Sequence, residues 1–192
     1  MAPRKKSRSF LRSEIAFVAA LAEELQEKDF EKVRVVDLLE RSGYSRGAFY
    51  NKYEDKYCFI DTVYRKLAQL HIWHLAQYSI RRRQGCSVEI LLPYSERFFE
   101  FVYTHRVMYD LMIDGKIESF TVERFCEEVS KTNTSDYDFT HYKTESGLDM
   151  ELFSYLGAYD SILLIQYWKR GEYEKSPAYM AKQSLLMIRE TY

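Results

Sequence analysis

Apolar residues recur along this chain at helical spacing almost from end to end. Leu11, Ile15, Val18, Ala22 and Leu25 follow one another at intervals of four, three, four and three, which predicts an amphipathic helix over about Ser9 to Lys28 with these five residues inward. "KVRVVDLLERSGYSRGAFYNKY" then carries two short apolar stripes, Val35, Leu38 and Leu39 before Gly43, and Phe49 and Tyr53 after it. Two short helices broken at the glycine are expected. From Lys56 onward Ile60, Val63, Leu67, Leu70 and His74 predict a long helix closed by "RRRQG", whose arginines complement the helix dipole and remain solvated.

A further helix is expected from Ser87, with Val88, Leu91, Leu92, Phe98, Phe99 and Val102 inward, and shorter ones over Val107 to Ile113 and Phe120 to Lys131. "TNTSDYDFTHYKTESG" is polar and poor in aliphatic residues, the composition of a long surface loop. Beyond it, "DMELFSYLGAYDSILLIQYWKRG" is apolar nearly all round, so this helix is expected to be buried on several sides. Ser176 and Pro177 open a last helix whose Ala178, Ala181, Leu185 and Ile188 keep the same rhythm. Surplus apolar surface on two adjacent helices fits a subunit interface, and it fits a large monomeric core equally well.

Composition adds to this picture without changing it. With 16% aromatic residues, 3 prolines and 7 glycines in 192 residues, long helices are favoured over many turns, and an all-α fold is expected. Three scattered cysteines, Cys58, Cys86 and Cys126, suit buried thiols in a reducing compartment. The basic start followed by "IAFVAALA" imitates a secretory signal, but Glu14 interrupts the approach and an acidic pair follows at once. A soluble, cytoplasmic protein without a membrane span is expected.

The net charge is only −1, so a nucleic-acid site has to arise from local clustering. The stretch "RSGYSRGAFYNKYEDK" provides it. A helix-turn-helix needs two short helices and a tight turn, and here Arg34 to Arg41, Gly43 and a helix from Ser45 supply them. Gly43 suits a left-handed turn residue and Ser45 suits an N-cap. With Leu38, Leu39 and Phe49 holding the pair together, Tyr44, Arg46, Tyr50, Asn51 and Lys52 are left outward. Arginine reads guanine edges, and tyrosine and lysine bind phosphates.

"VVDLLERSGYSRGAFYNKYEDKYCFI" resembles the DNA-binding signature of the TetR/AcrR family of transcriptional regulators. The chain departs from the family pattern at Arg34, where threonine is usual, at Tyr53, usually phenylalanine, and at Asp55, usually serine or asparagine. The resemblance implies a DNA-binding domain over residues 1–56 and a helical effector-binding and dimerisation domain over residues 57–192. It implies that Arg34, Tyr44, Ser45, Arg46, Gly47, Tyr50, Asn51, Lys52 and Lys56 meet the major groove and its phosphates. The basic arm from Arg4 to Arg12 either adds phosphate or minor-groove contacts or merely solubilises the chain.

Further implications are a homodimer on a palindromic double-stranded DNA operator, with Leu156, Ile162, Leu163, Tyr167, Ala181, Leu185 and Ile188 at the interface, and a small-molecule effector that shifts the dimer between DNA-competent and incompetent states. His71, Trp73, His74, Phe98, Tyr109, Tyr155 and Tyr159 are candidates for the effector pocket, ordinary core packing being the alternative for each. His71 and His74 share a helix face, but they lack the Cys/His density of a metal site, and no metal or cofactor is expected. No phosphate loop, nucleophile elbow or paired-carboxylate constellation is present, so an enzyme is not expected. The functional expectation is a ligand-responsive repressor. The alternative is a regulator-like co-activator that senses ligand or binds protein without touching DNA, which would not need the outward basic and aromatic set.

Overall fold

A computed structural model describes residues 10–83, 87–135 and 149–191, with side chains except at 76–83, 132–135, 150–151, 153 and 188–191. Within them the chain forms helices α1 (Arg12–Glu27), α2 (Val35–Ser42), α3 (Arg46–Tyr50), α4 (Lys56–Arg83), α5 (Val88–Thr104), α6 (Arg106–Ile113), α7 (Val122–Ser135), α8 (Met150–Arg170) and α9 (Pro177–Thr191). A 3-10 turn, Phe30–Lys32, precedes α2. No strand occurs among the described residues, so the fold is all-α. None of these helices is long and apolar enough to cross a membrane.

Helix α1 buries Glu14, Phe17, Val18, Ala20, Leu21, Glu24 and Leu25. The expected stripe is therefore out of phase: Val18 and Leu25 are inward, whereas Leu11 and Ile15 are each 41% exposed. The cause is chemical. Glu14 and Glu24 occupy inward positions because each is paired, Glu14 with Lys66 and Glu24 with Lys28 and Arg41, which offsets the cost of burying a carboxylate.

The long helix α4 runs from the first three helices into the rest of the molecule and packs against α5 and α7. Helix α5 carries α9 on its other side, and α7 carries α8. Helix α6 packs on both α1 and α8. At the α8–α9 turn Glu172 and Tyr173 adopt left-handed backbone at φ 50° and 58°, a conformation that costs non-glycine residues energy. Neighbouring bonds hold it in place: Tyr173 N–H donates to Trp168 O at 3.1 Å, and Tyr173 Oη donates to Asp110 Oδ1 of α6 at 2.6 Å.

Helix α7 extends to Ser135, so residues 132–135 of the expected surface loop continue the helix. The remainder of that loop to residue 147 lies outside the described residues, as do residues 4–9 of the basic arm, Cys86 and the glutamine and glycine of "RRRQG".

Candidate nucleic-acid interface

Phe17 of α1 stands at the centre of the first three helices. Its ring meets Tyr44, Phe49 and Phe59 edge-on at centroid distances of 5.4, 5.3 and 5.9 Å, a preferred aromatic geometry. Phe49, wholly buried, also touches Tyr53 at 5.2 Å. The inner face of α3 is thereby fixed by rings from α1, α3 and α4.

The turn follows from two residues. Gly43 closes α2 at φ 70°, where a side chain would be strained, and its N–H donates to Leu39 O at 3.0 Å. Ser45 caps α3, its Oγ accepting from Ala48 N–H at 3.3 Å. With α3 starting there, Ser45, Arg46, Gly47, Tyr50, Asn51 and Lys52 are exposed, Tyr50 at 52%. Arg46 and Lys52 form no ion pair among the described residues. Tyr44 is half-buried, one edge of its ring held by Phe17.

Cations on α2 are committed differently. Arg34 is exposed, but its guanidinium forks onto Asp37, with Nη2 2.8 Å and Nε 3.2 Å from Oδ1. Those bonds, then Lys28 at 2.8 Å and the Arg34 N–H at 2.9 Å, hold the Asp37 carboxyl far below the usual carboxylate range. The Asp37 carboxylate, at the third position of α2, also reaches back to accept from the N–H of Arg34, the residue that caps the helix. Arg41 spans Glu23, Glu24 and Glu27 of α1. The charge left over for a ligand is concentrated on α3 and the residues just after it.

Lys56 departs from expectation. It is 8% exposed, and its Nζ donates to the carbonyls of Phe30, Glu31 and Val33 at 2.7, 2.9 and 2.9 Å. All three ammonium donors are thus used to tie the 3-10 turn to the start of α4, which leaves none for a phosphate. Asp55 has a structural role beside it, its Oδ1 accepting from Cys58 N–H at 2.7 Å at the first turn of α4.

The residues named for an effector pocket separate into groups. His71 is wholly buried, with Nδ1 2.9 Å from Tyr109 Oη and Nε2 2.9 Å from Ser161 Oγ. Ser161 donates its hydroxyl to Ala158 O at 2.7 Å, so it accepts from Nε2–H, and Tyr109 donates to Nδ1. Burial drives the His71 pKa down to about 3 and keeps the ring neutral. Phe98, at 5.1 Å, and Phe125, at 5.2 Å, close on its faces edge-on. His71, Phe98 and Tyr109 are therefore core rather than a lining: all three are buried, and the polar atoms of His71 are taken by Tyr109 and Ser161.

His74 faces elsewhere, stacked on Phe101 at 4.7 Å with Trp73 edge-on at 4.8 Å. Tyr155 and Tyr159 contact each other at 4.9 Å. Tyr155 also borders an open cleft of about 280 Å³ with Ser130, Asp149 and Leu152. Among the described residues no three His, Cys, Asp or Glu side chains gather as a metal site.

Interface candidates divide by face. Ile162, Ala181 and Leu185 are buried inside the protomer, Ile162 on the side of α8 that carries Ala158, Ile165 and Trp168, and Ala181 and Leu185 on the side of α9 that meets α5. They cannot serve a second subunit. The outer face of α8 instead exposes Leu152 (54%), Leu156 (54%), Leu163 (59%) and Tyr167 (63%). Leu152 was missed by sequence reading, although it lies one turn before Leu156 on the same face. The side chain of Ile188 lies outside the described residues.

No protein-family model matches the chain. No curated protein matches it either. Among solved structures, the chain is similar to the fatty acid degradation regulator FadR from Bacillus halodurans, with a TM-score of 0.50 and 10% sequence identity over 91% of this chain and 93% of that one. At that identity the likeness is one of fold alone.

Proposed function

We propose that the protein is a DNA-binding transcriptional regulator of the TetR/AcrR type, a ligand-responsive repressor that acts as a homodimer on a palindromic operator. The observation that carries this reading is α3 itself. A five-residue helix braced from within by Phe49 presents Arg46 and Tyr50 outward, Asn51 and Lys52 follow it on the exposed side, and neither cation has an ion-pair partner among the described residues. Exposed arginine, amide and lysine on this short helix and the two residues after it suit base edges and phosphates, and a co-activator would have no use for them. Tyr44, Ser45, Gly47 and Arg34 complete the surface, Gly47 by letting the backbone approach the groove and Arg34 through the guanidinium face that Asp37 leaves open.

Residues 1–56 are the reading domain in this proposal and residues 57–192 the sensing and dimerising domain. One reading head covers few base pairs, and a two-fold dimer doubles the contact. In this proposal the four exposed apolar residues on α8 form the dimer face; Tyr179 and Met187 of α9 are exposed as well, at 43% and 56%. The fold shared with FadR, a regulator by its name, supports the reading at the level of architecture alone. Response to an effector and repression rest on the family resemblance.

The test is a salt titration of binding to a duplex from the region upstream of the gene, against a scrambled duplex. A sequence-specific complex whose affinity falls as salt rises is expected. Equal binding of both duplexes at every salt concentration overturns the proposal.

A further inference from the structure

Three side chains from separate parts of the chain meet where the reading head joins the rest of the molecule. Lys66 lies in α4, Glu14 in the first turn of α1, and Tyr53 in the turn between α3 and α4. The Lys66 ammonium is 2.7 Å from Glu14 Oε2, and Tyr53 Oη donates to Glu14 Oε1 at 3.1 Å. Leu11 N–H donates to Oε2 at 2.7 Å, so both carboxylate oxygens are occupied. Glu14 is 5% exposed and Tyr53 2%. Burial alone would raise the Glu14 pKa; Lys66, the Leu11 N–H and Tyr53 outweigh it and hold the carboxyl below its ordinary value.

The node reaches further. Lys66 Nζ also lies 5.0 Å from the centre of the Phe10 ring, and Phe10 meets His105 at 5.0 Å at the junction of α5 and α6. One ammonium on α4 therefore touches the root of α1 directly, the exit from α3 through the Glu14 carboxylate and, through one ring, the corner of the body.

A buried ion pair is a poor way to gain stability, because desolvating the two charges offsets most of their attraction. Three apolar side chains would fill the same space. What the charged node adds is direction: a carboxylate with both oxygens committed admits one arrangement of its donors, whereas ring packing tolerates rotation. The Tyr53 ring already packs on Phe49 and Phe59, the latter at 5.1 Å, and a phenylalanine would keep those contacts. The hydroxyl is the part that registers the α3–α4 turn against α1 and α4.

We infer that Glu14, Tyr53 and Lys66 are positioning residues that fix the angle of α3 against α4, so that Arg46 is presented to base edges in one orientation. This rests on the DNA-reading proposal. Base contacts need hydrogen-bond geometry, whereas phosphate contacts tolerate displacement. Loosening the node therefore reduces specific binding and spares non-specific binding.

The decisive variant is Tyr53→Phe in the full-length chain. The probes are a duplex enriched from a random-sequence library by the wild-type protein and a scrambled duplex of equal length. Affinity for the enriched duplex is expected to fall about tenfold, the reduction that follows when the competent orientation of α3 is populated only about a tenth of the time, with the scrambled duplex unchanged within about twofold. The double variant Glu14→Gln, Lys66→Met removes both charges together, and it should lower the same ratio. Adding Tyr53→Phe to it should then cost little more, because the three act as a unit. A ratio left unchanged by Tyr53→Phe in the wild-type background or by the double variant, an equal loss on both duplexes, or a full further loss when Tyr53→Phe is added to the double variant overturns the inference while leaving the DNA-reading proposal intact. If the wild-type protein enriches no sequence, the proposal fails and the inference with it.

Discussion

The N-terminal head and the body of this protein are both packed around aromatic rings, but Arg46 and Lys52 in the one and His71 in the other show two different fates for a polar group. In the body, His71 is enclosed by Phe98 and Phe125, and its two nitrogens are consumed by Tyr109 and Ser161. In the head, Phe17 and Phe49 fill the centre, charged pairs ring it, and Arg46 and Lys52 are left outside. Satisfied polar groups specify a packing; unsatisfied, exposed ones are available to a partner. The same chemistry thus encloses His71 in one half and, in the other, leaves outward the two cations on which the DNA-reading proposal rests.

The largest expected break in this comparison is Phe17→Ala, which removes the ring shared by α1, α3 and α4. It should destabilise the protein by about 3 to 5 kcal/mol in urea unfolding. Next come two lysines four residues apart. Lys56→Met leaves three carbonyls without their donor and should lower stability by about 1 to 3 kcal/mol. Lys52→Ala should leave stability unchanged and reduce the salt slope of DNA binding by about 1. If the two behave alike, the division between internal and outward cations is wrong.

Self-association should respond to the outer face of α8. Leu156→Lys is expected to weaken the dimer by about tenfold to a hundredfold in sedimentation, with the fold retained. Ile162→Ala should act on stability instead, since that side chain is inside the protomer.

Acid should separate the halves more gently. Burial lowers His71 to about 3 and His74 to about 4, below the value near 6.5 of an unfolded histidine. The unfolded chain therefore binds these protons first, so the stability they reflect is complete above about pH 6.5 and declines as pH falls. In the head, Glu14, Glu24 and Asp37 are held below the ordinary carboxylate range. Their contribution is complete above about pH 4 and is lost only beneath it. Hydrogen exchange should show the centre of the body loosening at a higher pH than the head.

Helical periodicity made the order of elements legible, and Gly43 and Ser45 made the turn legible, because those residue types have few other reasons to stand there. What escaped the pattern was ion pairing and face. The α1 stripe was misphased because hydropathy treats Glu14 and Glu24 as outward, and nothing local to α1 announces Lys66, 52 residues on. Lys56 looked like a phosphate ligand because its partners are backbone carbonyls, which sequence does not distinguish. Ile162 and Leu163 are adjacent aliphatic residues, yet one is buried at 1% and the other exposed at 59%; the helices packed on α8, α7 and α6, decide between them.

The claim on which the account turns is that α3 reads bases rather than merely charge. Arg46→Ala, assayed on the enriched duplex and on a panel of its single-base substitutions, tests it most directly. A loss of about 1 to 3 kcal/mol with discrimination relaxed at one base position is predicted. An equal loss on every sequence would contradict the account and reduce Arg46 to a phosphate contact.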